Sequence, residues 1–582
     1  MSLTLSVTRG VRAALRDQEP TPEQWAAIAA PLGPAHVIAG AGSGKTAVMA
    51  ARIVYLVEQA GVAPSAVLGL TFTNKAAAEL EERIRDALVV RGPGLGEEVT
   101  VDTYHAFSAE LVKAYGVRVG VEPDADLLSE AQQYQILLAI LDSERFEHLS
   151  VRSAGFIIRK TLELAAACAD HLTTPERVVA ASLALLDRAE AGERLPDWQV
   201  QAARERIELA RLVERYVAEK RRRGRIDFGD QVAKAVELVE GQPEIAEALR
   251  ARFPHVLLDE YQDTNIAQRR LMQCICRHGA SIMAVGDARQ AIYAFRGATM
   301  YNLLSFSEHF PAADRALDEP LPLSTNFRSG RRILELANAV IEAVPDERRG
   351  GRPLVPLPAN GDGEVRAALL TDQYAEAAFV ADQVARAHAE GLPGLDAGTD
   401  RTWPAWRDVA VLVRSKRLLG PIREALEQRD VPVEVVGLSG LLETPEIVDL
   451  VSVLRVIDDP GANVALTRVL LGPRWRIGYR HLVRLARWAS RHNRGLKEGL
   501  PGEDPDPGDV SFALSEALDH LDEVEGLDEE ALARLEAFRE ELRQLREAAD
   551  APLIDLVQTV LERTGVWADL EASSDRRALS AR

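Results

Sequence analysis

Residues 35–46 read AHVIAGAGSGKT, and this stretch decides the fold class of the chain. The apolar run Ala35–Ala39 is typical of a short buried strand, the glycines at positions 40, 42 and 44 predict a tight turn, and a helical pattern runs from Thr46 to about Gln59. In a strand–turn–helix of this kind, backbone N–H groups and the positive end of the helix can surround phosphate groups. The sequence therefore predicts a phosphate-binding loop, although Ala39 stands where the strict pattern has glycine.

The side chains at the end of this loop predict the chemistry of its ligand. Lys45 would contact the β- and γ-phosphates of ATP, and the hydroxyl of Thr46 would coordinate Mg²⁺. The remainder of the predicted ATP-binding loop is contributed by Ala39, Gly40, Ala41, Gly42, Ser43 and Gly44. A glycine-rich turn that binds nothing is the alternative, and the agreement of motif and context disfavours it.

A second element, VLLDE at residues 256–260, supplies the acidic partner that such a loop needs. Its apolar residues predict a core strand, and Asp259 emerges at the end of that strand to hold Mg²⁺. Glu260 is then placed to orient and deprotonate an attacking water molecule. Lys45, Asp259 and Glu260 are therefore predicted to be catalytic.

Further short apolar strands predict an α/β fold with a parallel sheet and helices on both faces. The strand candidates are 66–73, 98–104, 255–259 and 281–286, followed, in a second α/β pattern that starts near Pro322, by 365–370, 408–413 and 432–436. Residues 108–225 carry helical patterns alone, and so does the chain from about Arg455 to its end. An all-helical insertion therefore divides the first predicted α/β domain.

The composition is that of a globular protein with several domains. The chain has 582 residues, 47% of them apolar, and a net charge of −20, so the total charge does not announce a nucleic-acid partner. Its three cysteines cannot build a disulfide framework, and Cys274 and Cys276 are interpreted as buried thiols because a second ligand pair is lacking nearby. With neither a signal peptide nor an apolar run of membrane-spanning length, we expect a cytoplasmic protein and no membrane partner.

Eight motifs occur in an order that resembles the UvrD/Rep/PcrA helicases of superfamily 1. They are 21–24 (TPEQ), 39–46 (AGAGSGKT), 71–77 (TFTNKAA), 103–107 (TYHAF), 226–230 (IDFGD), 259–264 (DEYQDT), 285–298 (VGDARQAIYAFRGA) and 326–329 (NFRS). The resemblance, which runs from about residue 20 to the end of the chain, implies a P-loop (RecA-like) motor domain with its helical insertion and a partial second RecA-like domain with another. The implied boundaries are 1–107 and 226–325 for the first motor domain, 108–225 for its insertion, 326–455 for the second motor domain and 456–582 for the insertion of that domain.

The resemblance also implies roles for single residues. Gln24 would read adenine, Phe327 would stack on it, Arg328 would act as an arginine finger, and Gln290 would sense the γ-phosphate. Single-stranded DNA would contact aromatic and neighbouring residues of three motifs, namely Phe72, Thr73, Asn74, His105, Tyr293, Phe295 and Arg296. Aromatic faces stack on bases of any sequence, which suits such a track, although each ring by itself could be core packing.

Two positions depart from the family pattern. Ala47 follows the loop threonine where arginine is common, so one nucleotide contact is lost or moved to Arg52. Arg289 precedes Gln290 where the family commonly has an acidic residue or cysteine.

A third feature lies near the end of the chain, where residues 474–494 are rich in arginine. Arg480, Arg484, Arg487, Arg491 and Arg494 share a helical face. In the family, a turn resembling Arg476–Gly478 contacts the backbone of duplex DNA. Pairing of these arginines with the acidic stretch 527–547 is the alternative.

Together these patterns predict an ATP-dependent DNA helicase that moves 3′-to-5′ on single-stranded or forked DNA in repair or recombination. The family's last two motifs have no match after Gly437, so the sequence is expected to be a truncated chain that binds nucleotide without unwinding DNA. Two alternatives remain: the motor subunit of a helicase–nuclease of the AddAB/AdnAB type, and an ATP-gated DNA-binding module. The sequence beyond Arg582 and a strand-displacement assay would separate them.

Overall fold

The computed structural model describes residues 7–89, 98–123, 125–141, 143–149, 152–277, 279–313, 319–345, 350–393, 401–435, 445–497, 513–549 and 552–565. Its internal contacts divide the chain into two compact units, Met1–Leu418 and Leu419–Arg582. Each unit has a hydrophobic core of its own. Within the described residues, no helix is long and apolar enough to cross a membrane.

A six-stranded, fully parallel sheet organises the first unit. The strand order is β3-β2-β4-β5-β1-β6. The strands are β1 (Ala35–Ala39), β2 (Val67–Thr71), β3 (Thr100–Thr103), β4 (His255–Leu258), β5 (Ser281–Gly286) and β6 (Leu321–Leu323). The predicted strands at 35–39, 66–73, 98–104, 255–259 and 281–286 are thereby confirmed, with ends that differ by a few residues.

The sixth strand corrects the sequence prediction of where the first sheet ends. Pro322 was expected to begin a second α/β pattern, but it lies in β6 opposite Ile38 of β1. The three residues Leu-Pro-Leu form an edge strand, where proline is tolerated because one side of the strand needs no N–H donor. The first sheet therefore extends to Leu323.

Alternating side chains of the strands fill two cores, one on each face of the sheet. Val256 and Leu258 of β4 belong to one core, together with Tyr104 and Phe306. Leu257 belongs to the other core with the buried face of the helix after β1. Strands buried on both faces need helices on both faces, as the sequence predicted.

The helices of the first unit lie around this sheet and in the insertion. They are α1 (Arg9–Ala14), α2 (Pro22–Ile28), α3 (Lys45–Glu58), α4 (Asn74–Val89), α5 (Tyr104–Tyr115), α6 (Glu130–Leu141), α7 (Ala154–Asp170), α8 (Pro175–Glu190), α9 (Asp197–Arg222), α10 (Phe228–Gly241), α11 (Pro243–Arg252), α12 (Ile266–Ile275), α13 (Tyr301–Leu304), α14 (Phe306–His309), α15 (Arg331–Glu342) and α16 (Gln373–Glu390). Short 3-10 turns occupy Tyr261–Asp263, Ala288–Gln290 and Ala294–Arg296.

The described residues of the predicted insertion form helices joined by turns and loops, without a ladder strand. One isolated bridge joins Leu127 to Ile226, just beyond the insertion. Its core is built from α6, α7 and α9. At its end, the buried Lys220 ammonium lies 2.5 Å from Asp227 and 2.7 Å from Asp230. These ion pairs fix the start of α10, whose N-cap is Asp227.

The strands predicted at 365–370, 408–413 and 432–436 are wrong for the residues that the structure describes. Their segments carry no ladder assignment, and residue 436 lies outside the described part. A strand requires a neighbour that offers backbone partners, and in the described residues 325–418 the ladders are two-residue pairs. They join β7 (Thr325–Asn326) to β8 (Val355–Pro356) and β9 (Leu392–Pro393) to β10 (Arg401–Thr402). The apolar pattern consequently overestimated burial: Leu369 is 101% exposed and Leu412 is 93% exposed.

The second unit is helical in its described residues, in agreement with the pattern after Arg455. Its helices are α17 (Leu419–Glu427), α18 (Pro445–Asp458), α19 (Asn463–Leu471), α20 (Tyr479–Lys497), α21 (Glu516–Asp519), α22 (Glu529–Glu547) and α23 (Leu553–Thr564). Leu485, Leu535 and Val560, from three of these helices, meet in one apolar core.

The insertion contacts the sheet domain at Asp170, the last residue of α7. Asn265 Nδ2 donates to Asp170 Oδ1 at 2.6 Å, and a Cβ added to Gly297 would lie 2.6 Å from Asp170 Oδ2. Burial raises the pKa of Asp170 to about 6, against the lowering effect of the bond from Asn265. The carboxylate therefore joins the insertion to two loops, and its ionisation at this buried position destabilises the folded protein.

We expect Asp170→Asn to stabilise the protein above about pH 6. Because the pKa is higher in the folded state than in the unfolded chain, the folded protein takes up a proton between about pH 4 and pH 6, and stability falls as the pH rises through that window. The uncharged variant should gain about 1 kcal/mol near neutral pH, after allowance for partial exposure, and its advantage should vanish near pH 4. Urea unfolding of both proteins at about pH 4.5 and pH 7.5 measures this difference, and an advantage that is equal at both values would contradict the assignment.

Candidate functional site

The Gly-rich loop at residues 39–46 lies at the carboxyl end of β1 and leads directly into α3. Gly42 and Gly44 have φ angles of +70° and +85°, a region that glycine adopts without steric strain. Gly44 is the N-cap of α3, so the loop delivers its backbone to a helix N-terminus. Ser43 Oγ donates to Gly40 O at 2.8 Å and holds the turn together. This is the geometry in which N–H groups and the helix dipole favour an anion.

Lys45 and Glu260 form an ion pair at the mouth of the loop. Lys45 Nζ lies 2.6 Å from Glu260 Oε2, and the lysine side chain is 10% exposed. The carboxyl ends of β1 and β4 therefore bring together two of the predicted catalytic residues. Glu260 has a φ of +47°, a left-handed conformation that is uncommon for a residue with a side chain.

Thr46 and Asp259 are also neighbours, and their chemistry fits a divalent cation. The Thr46 side chain hydrogen-bonds to Asp259, whose carboxylate is 2% exposed. The pKa of Asp259 is raised to about 7, chiefly by burial and also by the nearby Glu260, while Lys45 lowers it. A buried hydroxyl–carboxylate pair of this kind offers hard oxygen ligands, and Mg²⁺ would compensate the charge.

A chain of hydrogen bonds links Glu260 to Gln290. Gln262 Nε2 donates to Glu260 Oε2 at 2.8 Å, and Gln262 Oε1 accepts from the backbone N–H of Asp287 at 2.9 Å. Gln290 Nε2 then donates to Asp287 Oδ2 at 2.7 Å. Gln262 and Asp287 lie within the motifs quoted above but had no predicted role. Because each follows a buried strand, its position could have indicated a site residue.

Gln24 lies against the Gly-rich loop and is 6% exposed. Its Nε2 donates to Ser43 O at 3.3 Å. Its Oε1 accepts from the backbone N–H of Thr21, which completes a capping box at the start of α2. In this arrangement both ends of the Gln24 amide are engaged by the protein itself.

The segment 323–328, which we call the strap, lies directly on the Gly-rich loop. Gly40 N–H donates to Leu323 O at 3.1 Å, and Phe327 N–H donates to Gly42 O at 2.8 Å. Asn326 Nδ2 donates to Ala41 O at 2.5 Å. Three hydrogen bonds therefore hold the strap along residues 40–42 of the loop.

Asn326 also organises the residues that follow it in the chain. Its Oδ1 accepts from the backbone N–H groups of Arg328 and Ser329 at 2.8 and 2.7 Å. Phe327, which is half-buried, and the exposed Arg328 are thereby held beside the loop. Asn326 had no predicted role, because a motif asparagine is equally well explained as a turn former.

The structure corrects the expectation that a nucleotide contact moves from position 47 to Arg52. Arg52 does not replace the missing arginine at position 47, because it is 3% exposed and donates to the carbonyls of Ile28, Ala30 and Pro31. Burial lowers the pKa of Arg52 to about 10. The guanidinium thus binds the C-terminal end of α2 instead of the mouth of the loop.

The second departure, Arg289, reaches the segment beyond α15. Its Nη1 donates to Arg352 O at 2.7 Å, and its Nη2 donates to Gly351 O at 2.9 Å. An acidic residue at this position could not donate to carbonyls. Arg289 therefore joins the turn that carries Gln290 to the chain that follows the strap.

The predicted DNA-contacting aromatics form a cluster at the surface of the first unit. The ring centroids of Phe72 and Tyr293 are 4.6 Å apart, and those of Tyr293 and Phe295 are 5.9 Å apart. Phe295 is 79% exposed, and the Arg296 guanidinium lies 5.6 Å from the Tyr293 ring centroid. Phe295 is exposed and the tilted rings of Phe72 and Tyr293 are half-buried, so this cluster lies at the surface and not in the core, which was the alternative for these rings.

His105 lies at one end of this aromatic cluster, against Phe228. The two ring centroids are 6.2 Å apart in an edge arrangement, and Phe228 is 55% exposed. Burial lowers the pKa of His105, and the charge of Arg296 lowers it further. Thr73 and Asn74, at the start of α4, are exposed. The structure therefore gathers the predicted residues of three motifs on one surface.

Arg476 and Gly478 lie in the second unit, in an exposed turn before α20. Arg476 has a φ of +52°, and its Nε donates to Pro473 O at 2.7 Å. Two nearby arginines pair with the acidic stretch 527–547, which was the alternative to a DNA contact: Arg474 pairs with Glu541 and Arg480 pairs with Asp528. Arg494, the last of the predicted arginine face, has a side chain outside the described residues.

Two family profiles match the chain. The UvrD/REP helicase N-terminal domain covers residues 20–311, and the UvrD-like helicase C-terminal domain covers residues 321–497. The chain is 32% identical over 575 residues to the ATP-dependent DNA helicase UvrD1 of Mycobacterium leprae (strain TN), a match over 96% of this chain and 66% of the relative.

Two further relatives have the same kind of name. The identity is 26% over 562 residues to the ATP-dependent DNA helicase PcrA of Bacillus subtilis (strain 168), a match over 96% of this chain and 67% of that protein. It is 27% over 478 residues to the ATP-dependent DNA helicase PcrA of Staphylococcus aureus (strain Mu50 / ATCC 700699), with 82% of this chain and 59% of that protein covered. The chain thus spans about two thirds of the length of the relatives that it matches.

We expect Gly42→Ala to displace the strap. A Cβ at position 42 would lie 2.5 Å from Asn326 Nδ2 and 3.0 Å from Arg328 Cβ, in addition to the strain of a positive φ. Strain by itself should cost about 1–2 kcal/mol. Hydrogen exchange of residues 323–328 should become faster as the strap separates from the loop.

Gly61→Ala is the matched control, because Gly61 has a φ of +68° and nothing within 4 Å of an added Cβ. That variant should lose stability without faster exchange in the strap. Equal exchange in the two variants would mean that the strap does not depend on its close approach to Gly42.

Proposed function

The chain belongs to the UvrD/REP helicase family, and from that premise we propose that it is an ATP-dependent DNA motor which hydrolyses ATP at the Gly-rich loop and binds single-stranded DNA on its aromatic cluster. One observation carries the proposal. The basic end of the loop and the carboxyl end of β4 meet, with Lys45 paired to Glu260 at 2.6 Å and Thr46 bonded to Asp259. Three of these four side chains can be charged, and the Thr46 hydroxyl can bind a metal; phosphoryl transfer to water uses groups of both kinds.

In the proposed reaction Lys45 leaves Glu260 and binds the phosphates of ATP. Glu260, released from its ion pair, then accepts a proton from the attacking water. Mg²⁺, held by Thr46 and Asp259, would neutralise charge that develops on the phosphates. The apo ion pair therefore keeps the general base occupied until a nucleotide takes the lysine away.

The remaining groups stabilise the transition state and report on it. Asn326 holds Arg328 beside the loop, and Arg328 would act as an arginine finger. Phe327 would stack on adenine and Gln24 would read its edge, which requires Gln24 to exchange its contact with Ser43 for one with the base. Gln290 would sense the γ-phosphate through the hydrogen-bond chain that starts at Glu260.

The aromatic cluster is the proposed track for DNA. Stacking of bases on Phe72, Tyr293 and Phe295 is tolerant of sequence, and Arg296 and His105 add polar contacts. The turn at Arg476–Gly478 would contact the duplex part of a fork. Movement from 3′ to 5′, a role in DNA repair or recombination and the division into motor domains at 1–107, 226–325 and 326–455 are part of this proposal on the strength of family resemblance. A cytoplasmic location, which was expected from the sequence, is also part of it.

Lys45→Ala and Glu260→Gln should separate nucleotide binding from hydrolysis. Lys45→Ala removes a phosphate ligand and should abolish measurable binding of Mg·ATP. Glu260→Gln keeps the size of the side chain but cannot take a proton, so binding should persist while turnover falls by about 10²–10⁴. Calorimetry with a non-hydrolysable ATP analogue and steady-state phosphate release measure the two effects.

Lys160→Ala is a suitable control, since Lys160 forms a surface pair with Glu163 in the insertion. It should match the wild type in both assays. Normal turnover of Glu260→Gln would show that a different base is used, and normal binding by Lys45→Ala would remove the Gly-rich loop from the proposal.

Replacing both Tyr293 and Phe295 by alanine should weaken single-stranded DNA binding by about 1–3 kcal/mol per lost stack. The loss should be similar for oligothymidylate and for mixed sequences, because stacking does not read base edges. Fluorescence anisotropy with labelled oligonucleotides measures it, and circular dichroism checks the fold. Tyr301→Ala, which removes a 52% exposed aromatic outside the cluster, should bind normally. Equal binding by the double variant would exclude these rings from the DNA track.

A further inference from the structure

Helix α2 contacts both the Gly-rich loop and the strap, and consecutive residues of its first turn reach one element each. Gln24 contacts the loop through Ser43 O, as described above. Glu23 contacts the strap at Ser324. Successive helical residues point about 100° apart, so two neighbours in sequence can hold two different elements.

The contact of Glu23 with Ser324 is a double one. Glu23 Oε2 accepts from the backbone N–H of Ser324 at 2.7 Å. The Ser324 hydroxyl donates to the same carboxylate, 2.8 Å from Oε1 and 3.0 Å from Oε2. Hydrogen bonds to an ionised carboxylate are about twice as strong as neutral ones. Glu23 therefore holds both donors of the first polar residue that follows β6.

The other end of α2 is also fixed. Arg52, from the middle of α3, donates to the carbonyls of Ile28, Ala30 and Pro31. Because α3 begins at the Gly-rich loop, α2 is joined to the loop through its C-terminal end as well as through Gln24. Because Glu23 and Gln24 lie in the same turn of this short helix, any displacement of that turn moves both residues.

We propose that Glu23 is a positioning residue that couples the nucleotide site to the strap, and so sets where Phe327 and Arg328 lie when a nucleotide binds. This inference rests on the proposed function, since it takes Gln24 and the loop as the nucleotide site. When Gln24 turns from Ser43 toward a base, α2 shifts, and Glu23 carries Ser324 with it. Ser324 lies between Leu323 and Asn326, which are both bonded to the loop. A displacement of Ser324 therefore changes the position of the strap on the loop.

The test compares Glu23→Ala, Glu23→Gln and Glu19→Ala in the full chain. Glutamine keeps a carbonyl that can accept from Ser324 N–H and an amide that can bond the hydroxyl, so it should rescue the coupling. Glu19→Ala is the matched control, because it removes the same charge four residues away, from a surface pair with Arg12. Each protein is studied by calorimetry with Mg·ADP and with a non-hydrolysable ATP analogue, and by hydrogen exchange of residues 323–328 with and without these nucleotides.

In the wild type and in Glu19→Ala, the nucleotide should change the exchange rates of the strap. In Glu23→Ala that change should be lost and the Ser324 amide should exchange about tenfold faster without nucleotide, while nucleotide affinity stays within about threefold. The turnover number, expressed per nucleotide-binding site counted in the calorimetry, should fall about tenfold with an unchanged KM. Expressed in this way, the turnover number would not change if only the folded fraction were smaller. Glu23→Gln should lie close to the wild type.

The possible failures are distinguishable. A nucleotide-dependent change in strap exchange that persists in Glu23→Ala overturns the inference and leaves the proposed function intact. The same holds if the wild type binds nucleotide but its strap does not respond. If the wild type binds neither nucleotide, the proposed function fails, and the inference about coupling fails with it.

Discussion

The parallel direction of the strands is the constraint on which the rest of the site depends. All strands of the first sheet end at the same edge, so β1, β4, β5 and β6 deliver their following residues to one place. Lys45, Glu260 and Gln290 follow three of these strands, and the strap follows the fourth. None of these residues is near another in sequence, and the sheet alone makes them neighbours. The site is thus a property of topology before it is one of side-chain contacts.

Burial then sets the electrostatics of that edge. Asp259 is almost fully enclosed, and its burial, together with the Glu260 carboxylate beside it, raises its pKa to about 7. Lys45 offsets part of this unfavourable charge by pairing with Glu260. Two carboxylates and one ammonium in so little solvent leave a deficit of positive charge, which a bound metal cation would offset. Backbone strain at Glu260 fits a position that the surrounding structure holds in place for chemistry.

The sequence predicted those parts of the fold that local pattern controls. Strands β1 to β5, the helical insertion and the pairing of the Gly-rich loop with Asp259 followed from apolar runs, turn residues and motif order. The strands expected at 365–370 and 408–413 did not form ladders, because alternation of apolar residues cannot reveal whether a partner strand lies alongside. The destination of Arg52 was hidden for a similar reason: an arginine on an amphipathic helix gives no sign of which carbonyls it will meet. Gln262, Asn326 and Glu23 were missed as site residues because ordinary roles in turns and caps explain them equally well.

The strap has a mechanical consequence. It continues β6, an edge strand that lies parallel to β1 and is bonded to it along its length. A pull on the chain beyond Ser324, directed along the strand axis, would shear β6 against β1 and load all of these hydrogen bonds at the same time. A pull across the sheet would instead unzip them one after another. The carboxylate of Glu23 and the amide of Asn326 form their hydrogen bonds just past the end of β6, where unzipping would begin. The connection between the sheet that carries the Gly-rich loop and the chain that follows the strap is therefore stiff in one direction and weak in another. In this respect a part that bears tension differs from a flexible tether.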